Sequence, residues 1–199
     1  FVKRPYFAPG EEFHYSNTNY ILLGMIIEEA TNSNIAVEIR NRLFDPIGLE
    51  NTFLEIEEPV YGELAHGHML GFDQTRFPRE ARYSSGFTAA SILSTAEDIA
   101  MWAQALFRGD VLSEDSLEQM LDVIDSDLSF FELEIKVGLG MMLLEHPQFG
   151  EVWNHTGQME GYTAFMGDVP DNDIILVVLM NQHFTDFAFL ESLLEAVLN

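Results

Sequence analysis

The chain has 199 residues, 47% of them hydrophobic, which is enough for one domain with a packed core. It carries 33 acidic and 9 basic residues, a formal net charge of −24, which makes nucleic acids and anionic lipids poor candidates for partners. It contains no cysteine, which excludes disulfides and thiolate chemistry.

The first predicted element is a helix over residues 18–31, where apolar side chains recur at helical spacing. Tyr15, Ser16 and Asn17 lie just before it, after a Pro-Gly turn. Ser16, Asn17 or Thr18 could cap the helix by accepting a hydrogen bond from its first unpaired N–H groups. A cap explains Asn17 well and Tyr15 poorly, so the tyrosine needs another explanation.

A second helix is predicted over about 35–44, ended by the Asp-Pro-Ile-Gly sequence at 45–48. Residues 55–87 are irregular and rich in Gly and Pro, which predicts a long loop with short strands. Such a stretch in a compact domain is usually either functional or wrongly divided into elements. Within it, His66 and His68 could face the same side of a strand and bind a metal. A third ligand at a useful spacing is missing, so a surface or hydrogen-bonded loop is favoured and no metal site is predicted.

The second half of the chain changes from helical to strand periodicity. Ser94 and Glu97 form a capping-box pattern that opens a helix to about residue 107, and a short helix fits 113–124. Strands are predicted over 136–144, 149–157, 161–168 and 173–180, followed by a helix over 185–198. The strand Ile174 to Met180 is apolar on both faces, which predicts burial between layers. The pattern indicates an α+β fold, an antiparallel sheet with helices packed on it.

One strand carries a candidate binding motif, His155-Thr156-Gly157, followed by Gln158. Gly157 has no Cβ, so an extended substrate could approach the backbone closely, and Thr156 could donate to a carboxylate or carbonyl. By itself the motif is also compatible with a buried strand. Paired catalytic carboxylates cannot be singled out among 33 acids, which fit a solvated surface better.

Taken together, Tyr-Ser-Asn at 15–17 and His-Thr-Gly at 155–157 resemble the second and third motifs of the penicillin-binding-protein and serine β-lactamase superfamily. The likeness is strongest to its D-alanyl-D-alanine carboxypeptidase and class C β-lactamase branch. Surrounding segments such as LFDPIGLENTF and LSTAEDIAMWAQAL also resemble the family, in its order. The resemblance implies a β-lactamase/transpeptidase-like α+β fold forming one domain over 1–199, with a helical region over about 8–130 and the sheet and last helix over about 131–199.

The resemblance also implies roles for six residues and implies no cofactor or metal. Tyr15 would move the proton of a nucleophilic serine, and Asn17 would hold the substrate amide. His155 would supply positive charge beside Tyr15, where many β-lactamases have lysine. The substrate-binding residues would be Thr156, Gly157 and Gln158, with the Gln158 N–H forming half of an oxyanion hole.

The nucleophile of the family, on a Ser-x-x-Lys motif, has no counterpart in these residues. Lys3 is too close to the start, and Lys136 has Leu133 at the position that requires serine. We therefore expect a preceding segment to carry the nucleophile and to pair with the strand Ile174 to Met180 in a five-stranded sheet. Without that segment, the chain is expected to aggregate or to stay molten.

The function expected from the resemblance is the C-terminal part of a serine hydrolase that forms an acyl-enzyme, of the carboxypeptidase or β-lactamase kind. A non-catalytic binding protein and an esterase or D-aminopeptidase of the same fold stay open. The partner would be a small-molecule or peptide substrate, in an extracellular or cell-envelope location. The acid excess, with only two lysines, fits either adaptation to high salt or an acidic mesophilic hydrolase.

Overall fold

The computed structural model describes residues 4–55, 57–78, 80, 86–130, 132–183 and 188–198. Its α-helices are α1 (Asn17–Thr31), α2 (Ile35–Ile39), α3 (Ala96–Phe107), α4 (Glu114–Leu121) and α5 (Ala188–Leu198). A π-helical turn, Arg40–Phe44, and a 3-10 turn, Asp45–Ile47, continue α2 to Gly48. The helices predicted from periodicity are confirmed, except that the one predicted over 113–124 ends at Leu121. The predicted start of the last helix falls partly outside the described residues. No helix in the described ranges is long and apolar enough to cross a membrane.

Six antiparallel strands form the main sheet, in the order β10-β9-β8-β7-β6-β5. They are β5 (Ile124–Phe130), β6 (Leu133–Val137), β7 (Met142–His146), β8 (Gly150–Met159), β9 (Tyr162–Val169) and β10 (Ile174–Met180). Two short ribbons pair β1 (Phe53–Leu54) with β4 (Ile92–Leu93), and β2 (His68–Met69) with β3 (Phe72–Asp73). The α+β expectation is therefore confirmed, and the irregular region between 55 and 87 contains the expected loop with short strands where it is described.

Two expectations about the sheet were wrong. The predicted strand 136–144 is two strands, β6 and β7, joined by a turn in which the Gly138 N–H donates to the Met141 carbonyl at 2.8 Å. Gly140 has a φ of +83°, which few other residues adopt, so the apolar run cannot continue as one strand. Strand β5 was not predicted, so the described sheet has six strands where four were predicted in this chain, and it begins at Ile124 rather than near 131.

The predicted capping box at Ser94 was wrong by one residue. The N-cap of α3 is Thr95, whose hydroxyl accepts from the Asp98 N–H at 3.1 Å. Ser94 instead shares a hydrogen bond with the Thr52 hydroxyl at 2.8 Å. The buried Asp98 carboxylate also accepts from Thr52 and from the Asn51 N–H. These bonds tie α3 to the segment before β1, a contact that local sequence patterns cannot reveal.

Helix α1 presents much of its apolar surface to solvent. Its N-cap residue, Ser16, has an extended backbone but makes no side-chain capping bond. Leu22, Met25 and Ile26 are each at least half exposed, whereas Gly24 is buried. A Cβ at Gly24 would lie 2.2 Å from the Thr88 hydroxyl oxygen, so this glycine permits the close packing of the 86–89 turn against α1.

The core lies between the sheet and the helices. One cluster joins buried side chains of the sheet strands to Leu194 of α5, and these include Ile135, Val137, Leu144, Val152 and Val169. Strand β10 was expected to be buried between layers, but it is a half-buried edge of the described sheet. All of its side chains are apolar, so other elements can pack against them. In the described chain, helix α3 packs against part of β10.

Candidate active site

The predicted His-Thr-Gly motif lies where β8 extends beyond its neighbour β7. The ladder between β7 and β8 ends at the pair Met142–Asn154, whereas the ladder between β8 and β9 continues to Met159–Tyr162. Asn154 is buried, and its side-chain amide donates to the carbonyls of Met142 at 3.3 Å and Val152 at 3.1 Å. These bonds hold the strand in place immediately before His155, and Gly157 beyond it is exposed.

A cavity of about 370 Å³ brings together Tyr15 and His155, which are 140 positions apart in sequence. The residues before and within the start of α1 form one wall, and the β6–β7 turn forms another. Tyr20 and Asp122 also line it, and neither was predicted from sequence. Most of the remaining lining is apolar and includes Phe13, Leu23, Val137, Leu139, Met141 and Met142.

The other four predicted site residues are not part of the cavity lining. Asn17 is the first residue of α1 and is exposed. Along β8, His155 is followed by Thr156, Gly157 and Gln158, and the last two of these residues are exposed. In the described structure Tyr15 and His155 therefore line one cavity. The other four motif residues are close to them in sequence but do not line that cavity.

The environment of His155 favours a neutral imidazole. Its Nδ1 lies 2.7 Å from the Thr156 carbonyl oxygen, which can only accept, so Nδ1 carries a hydrogen and donates. In the neutral ring the lone pair is then on Nε2. Burial lowers the pKa of His155, and the hydrogen bond to Thr156 offsets that shift only in part. The charged form expected from the resemblance is therefore less populated at neutral pH than in an exposed histidine.

Two tyrosines share the cavity. The side chain of Tyr15 is 44% exposed, and burial raises the pKa of Tyr20, with a further rise from the nearby Tyr15. Tyr20 is held through its backbone, because the Thr88 hydroxyl donates to its carbonyl at 2.7 Å. Tyr20 could have been noticed in sequence, since it ends the same YSNTNY segment, but a helical position gave no reason to select it.

The β6–β7 turn that closes the cavity is fixed to the end of α4. The Leu139 N–H donates to the Met120 carbonyl at 2.9 Å. A Cβ at Gly138 would lie 2.4 Å from that same carbonyl oxygen, so glycine permits the approach. Asp122, just after α4, is consequently brought beside a turn that sequence reasoning placed inside a strand.

The loop with the two predicted histidines is held by hydrogen bonds. His66 Nδ1 lies 2.9 Å from an Asp73 carboxylate oxygen. Side-chain hydrogen bonds hold the pKa of the Asp73 carboxyl well below its usual range; the bond from the Thr75 hydroxyl has the largest effect and the bond with His66 the next largest. The His68 N–H is shared between the Asn181 carbonyl at 2.9 Å and the Gly161 carbonyl at 3.1 Å, which fastens the loop to the end of β10 and to the β8–β9 turn. These contacts favour the hydrogen-bonded loop, and the residues that the structure describes contain no cluster of three metal ligands.

The lowered pKa of His155 gives a prediction for stability. Because the unfolded chain binds a proton to this histidine more readily than the folded chain, wild-type stability should fall as the pH drops below about 6.5. His155→Gln should reduce this dependence on pH. Chemical unfolding of both proteins at several pH values between neutral and mildly acidic tests it. An unchanged slope in the variant would contradict the expected burial of the neutral ring.

Comparison with known proteins tests the family resemblance that the two motifs imply. The family model described as Beta-lactamase matches residues 3–198. Penicillin-binding protein 4* of Bacillus subtilis is 28% identical over 203 residues, covering 96% of this chain and 44% of that protein. The D-amino acid amidase of Ochrobactrum anthropi SV3 superposes with a TM-score of 0.82 at 28% identity, over 96% of this chain and 58% of that chain.

A D-stereospecific amidohydrolase from a Streptomyces species superposes with a TM-score of 0.74 at 25% identity, over 90% of this chain and 53% of its own. The chain therefore spans about half the length of the relatives that it matches. The resemblance inferred from Tyr-Ser-Asn and His-Thr-Gly is confirmed, as is the β-lactamase/transpeptidase-like fold. With nearly all of its residues matched, the chain belongs to the beta-lactamase family, a group of serine hydrolases that includes penicillin-binding proteins and D-amino acid amidases.

Proposed function

We propose that this chain forms the substrate-binding part of a serine hydrolase that cleaves amide bonds of D-amino acid derivatives through an acyl-enzyme. The observation that carries the proposal is the cavity shared by Tyr15 and His155, the first residues of two motifs that are distant in sequence. The similarity to D-amino acid amidase over 96% of the chain supports this substrate class. The nucleophilic serine and its lysine would lie on a segment outside these 199 residues.

The reaction would proceed in two steps. In the first, the serine oxygen bonds to the amide carbonyl carbon while the C–N bond breaks, and the serine proton passes through the Tyr15 hydroxyl to the departing amine. In the second, the water oxygen bonds to the ester carbonyl carbon while the bond from that carbon to the serine oxygen breaks, and one water proton passes through the Tyr15 hydroxyl to the serine oxygen, so the acid product leaves. The backbone N–H of Gln158 would donate to the oxyanion in both steps.

A D-alanyl-D-alanine carboxypeptidase is the second candidate, and the exposed β8 edge at Gly157 favours it. An extended peptide could lie along this edge where β8 extends beyond β7, with Thr156 donating to its C-terminal carboxylate. The similarity to penicillin-binding protein 4* supports the same alternative. A β-lactam would use the same acyl-enzyme chemistry, so labelling by penicillin alone does not separate these candidates.

The test uses the protein that contains these residues. Incubation with D-phenylalaninamide, a D-alanyl-D-alanine peptide, a p-nitrophenyl ester and a fluorescent penicillin is followed by mass spectrometry of the intact protein. We expect an acyl adduct, turnover fastest with the D-amino acid amide, and the modified serine outside residues 1–199. An adduct on a serine within these residues, or no adduct with any reagent, would contradict the proposal.

A further inference from the structure

Asn154 is a buried polar side chain at the point where strands β7 and β8 separate. It is 1% exposed, and the pair Met142–Asn154 is the last one of the β7–β8 ladder before His155. Its amide nitrogen donates to the carbonyls of Met142 and Val152. Its buried side-chain oxygen accepts no hydrogen bond from any residue that the structure describes. A leucine of similar size would avoid the cost of that unpaired oxygen, so packing alone does not explain the asparagine.

The bond to Met142 joins strand β8 to the turn that lines the cavity. Met142 is the first residue of β7, and it follows the β6–β7 turn that forms one wall of the cavity. On its other side, this turn is held by the bond from the Leu139 N–H to the Met120 carbonyl. The Asn154 amide therefore links the turn to β8 immediately before His155, where backbone pairing with β7 stops.

Phe165 supports the same stretch of β8 from the neighbouring strand. The ladder between β8 and β9 pairs Asn154 with Gly167 and Thr156 with Phe165. Since alternate residues of a strand face the same side of a sheet, these four lie on one face and His155 lies on the other. Phe165 is 3% exposed, and a Cβ at Gly167 would lie 2.8 Å from its ring, so the ring covers Gly167. This close packing leaves the neighbouring Asn154 amide little freedom to turn.

The orientation of the His155 ring depends on the backbone that Asn154 holds. The imidazole Nδ1 donates to the carbonyl of the next residue, Thr156, at 2.7 Å. The ring is thus fixed to the β8 backbone itself, so a shift of that backbone moves the ring with it. Each of these bonds joins two residues of the described chain, and none depends on the charge that a preceding segment would bring to the cavity.

We propose that Asn154 is a positioning residue for the hydrolase: its amide holds β8 at a fixed distance from the β6–β7 turn and thereby aligns His155 with Tyr15. This inference rests on the proposed function and deepens it. Reaction rates depend steeply on such alignment, since a displacement of about 1 Å can reduce a rate by about 100-fold. Asn154 acts through its neighbours and touches no reacting atom.

Asn154→Leu, made in the protein that contains this chain, tests the inference. The variant keeps the size of the side chain and removes both hydrogen bonds, so kcat for a D-amino acid amide should fall by about 10-fold to 100-fold while KM changes less. Hydrogen exchange should speed up at the amides of residues 138–142 and 155–157, because the turn and the strand are no longer joined. If Asn154→Leu does not fold, Asn154→Thr, which keeps one hydroxyl donor, is measured in the same way, and a smaller loss is expected.

Thr52→Val is the control, because it removes two hydrogen bonds from a side chain that is also 1% exposed but lies outside the cavity lining. It should lower stability and leave both kcat and the exchange of residues 155–157 unchanged. A kcat in Asn154→Leu that matches this control, or unchanged exchange at the turn and at β8, would overturn the inference. Failure of the hydrolase proposal has a different signature: no reagent forms an acyl adduct with the wild-type protein, while exchange in Asn154→Leu still speeds up.

Discussion

Tyr15→Phe, made in the protein that contains this chain, is expected to lower kcat by about 10²-fold to 10⁴-fold, the usual contribution of a group that transfers a proton. The change removes the hydroxyl and keeps the ring, so apolar contacts in the cavity should survive. KM should therefore change far less than kcat. Steady-state kinetics with a D-amino acid amide measures both quantities.

The matched control is Tyr61→Phe, because Tyr61 is 74% exposed and contacts Phe53 rather than the cavity. It should leave kcat and KM unchanged. If Tyr15→Phe also leaves kcat unchanged, Tyr15 contributes packing alone and the proton must follow another path. A loss confined to KM would instead indicate that the hydroxyl binds substrate without moving a proton.

The elements that sequence predicted best are those stabilised by neighbours along the chain. Helices α1 and α3 followed from the spacing of apolar residues, and Ala103 and Leu106 on the apolar face of α3 are buried. The cap of α3 was misplaced because Ser94 bonds to Thr52, a partner 42 residues away. Similarly, the periodicity of α1 indicates a helix, but it does not tell which of its apolar side chains another segment covers.

The same limit applies to the candidate site. Two motifs sufficed to predict Tyr15 and His155, since the family resemblance depends on them. Tyr20 and Asp122 join them only because the β6–β7 turn closes against the end of α4, through the bond from Leu139 to Met120. The protonation of His155 could not be predicted either, because burial by distant parts of the chain lowers its pKa.

Gly161→Ala is expected to cause a large loss of stability for a change of one methyl group. Gly161 has a φ of +91°, and an added Cβ would lie 2.8 Å from the Gly67 carbonyl carbon and 3.0 Å from the His68 nitrogen. Both neighbours are backbone atoms, so they cannot move away as a flexible side chain could. The positive φ costs roughly 1–2 kcal/mol, and the crowding should add about 1–3 kcal/mol.

Gly62→Ala separates these two contributions. Gly62 has a similar φ of +95°, but a Cβ there would have nothing within 4 Å, so this variant should lose only the conformational part. Urea unfolding of both variants gives the difference. Hydrogen exchange at the His68 N–H, which is shared between the Asn181 carbonyl at 2.9 Å and the Gly161 carbonyl at 3.1 Å, should speed up in Gly161→Ala alone, because the added Cβ crowds the His68 nitrogen. Equal losses in the two variants would show that the loop does not pack on the β8–β9 turn. A larger loss in Gly161→Ala would mean that the packing of the loop on the β8–β9 turn holds the end of the strand that carries His155, Thr156 and Gly157.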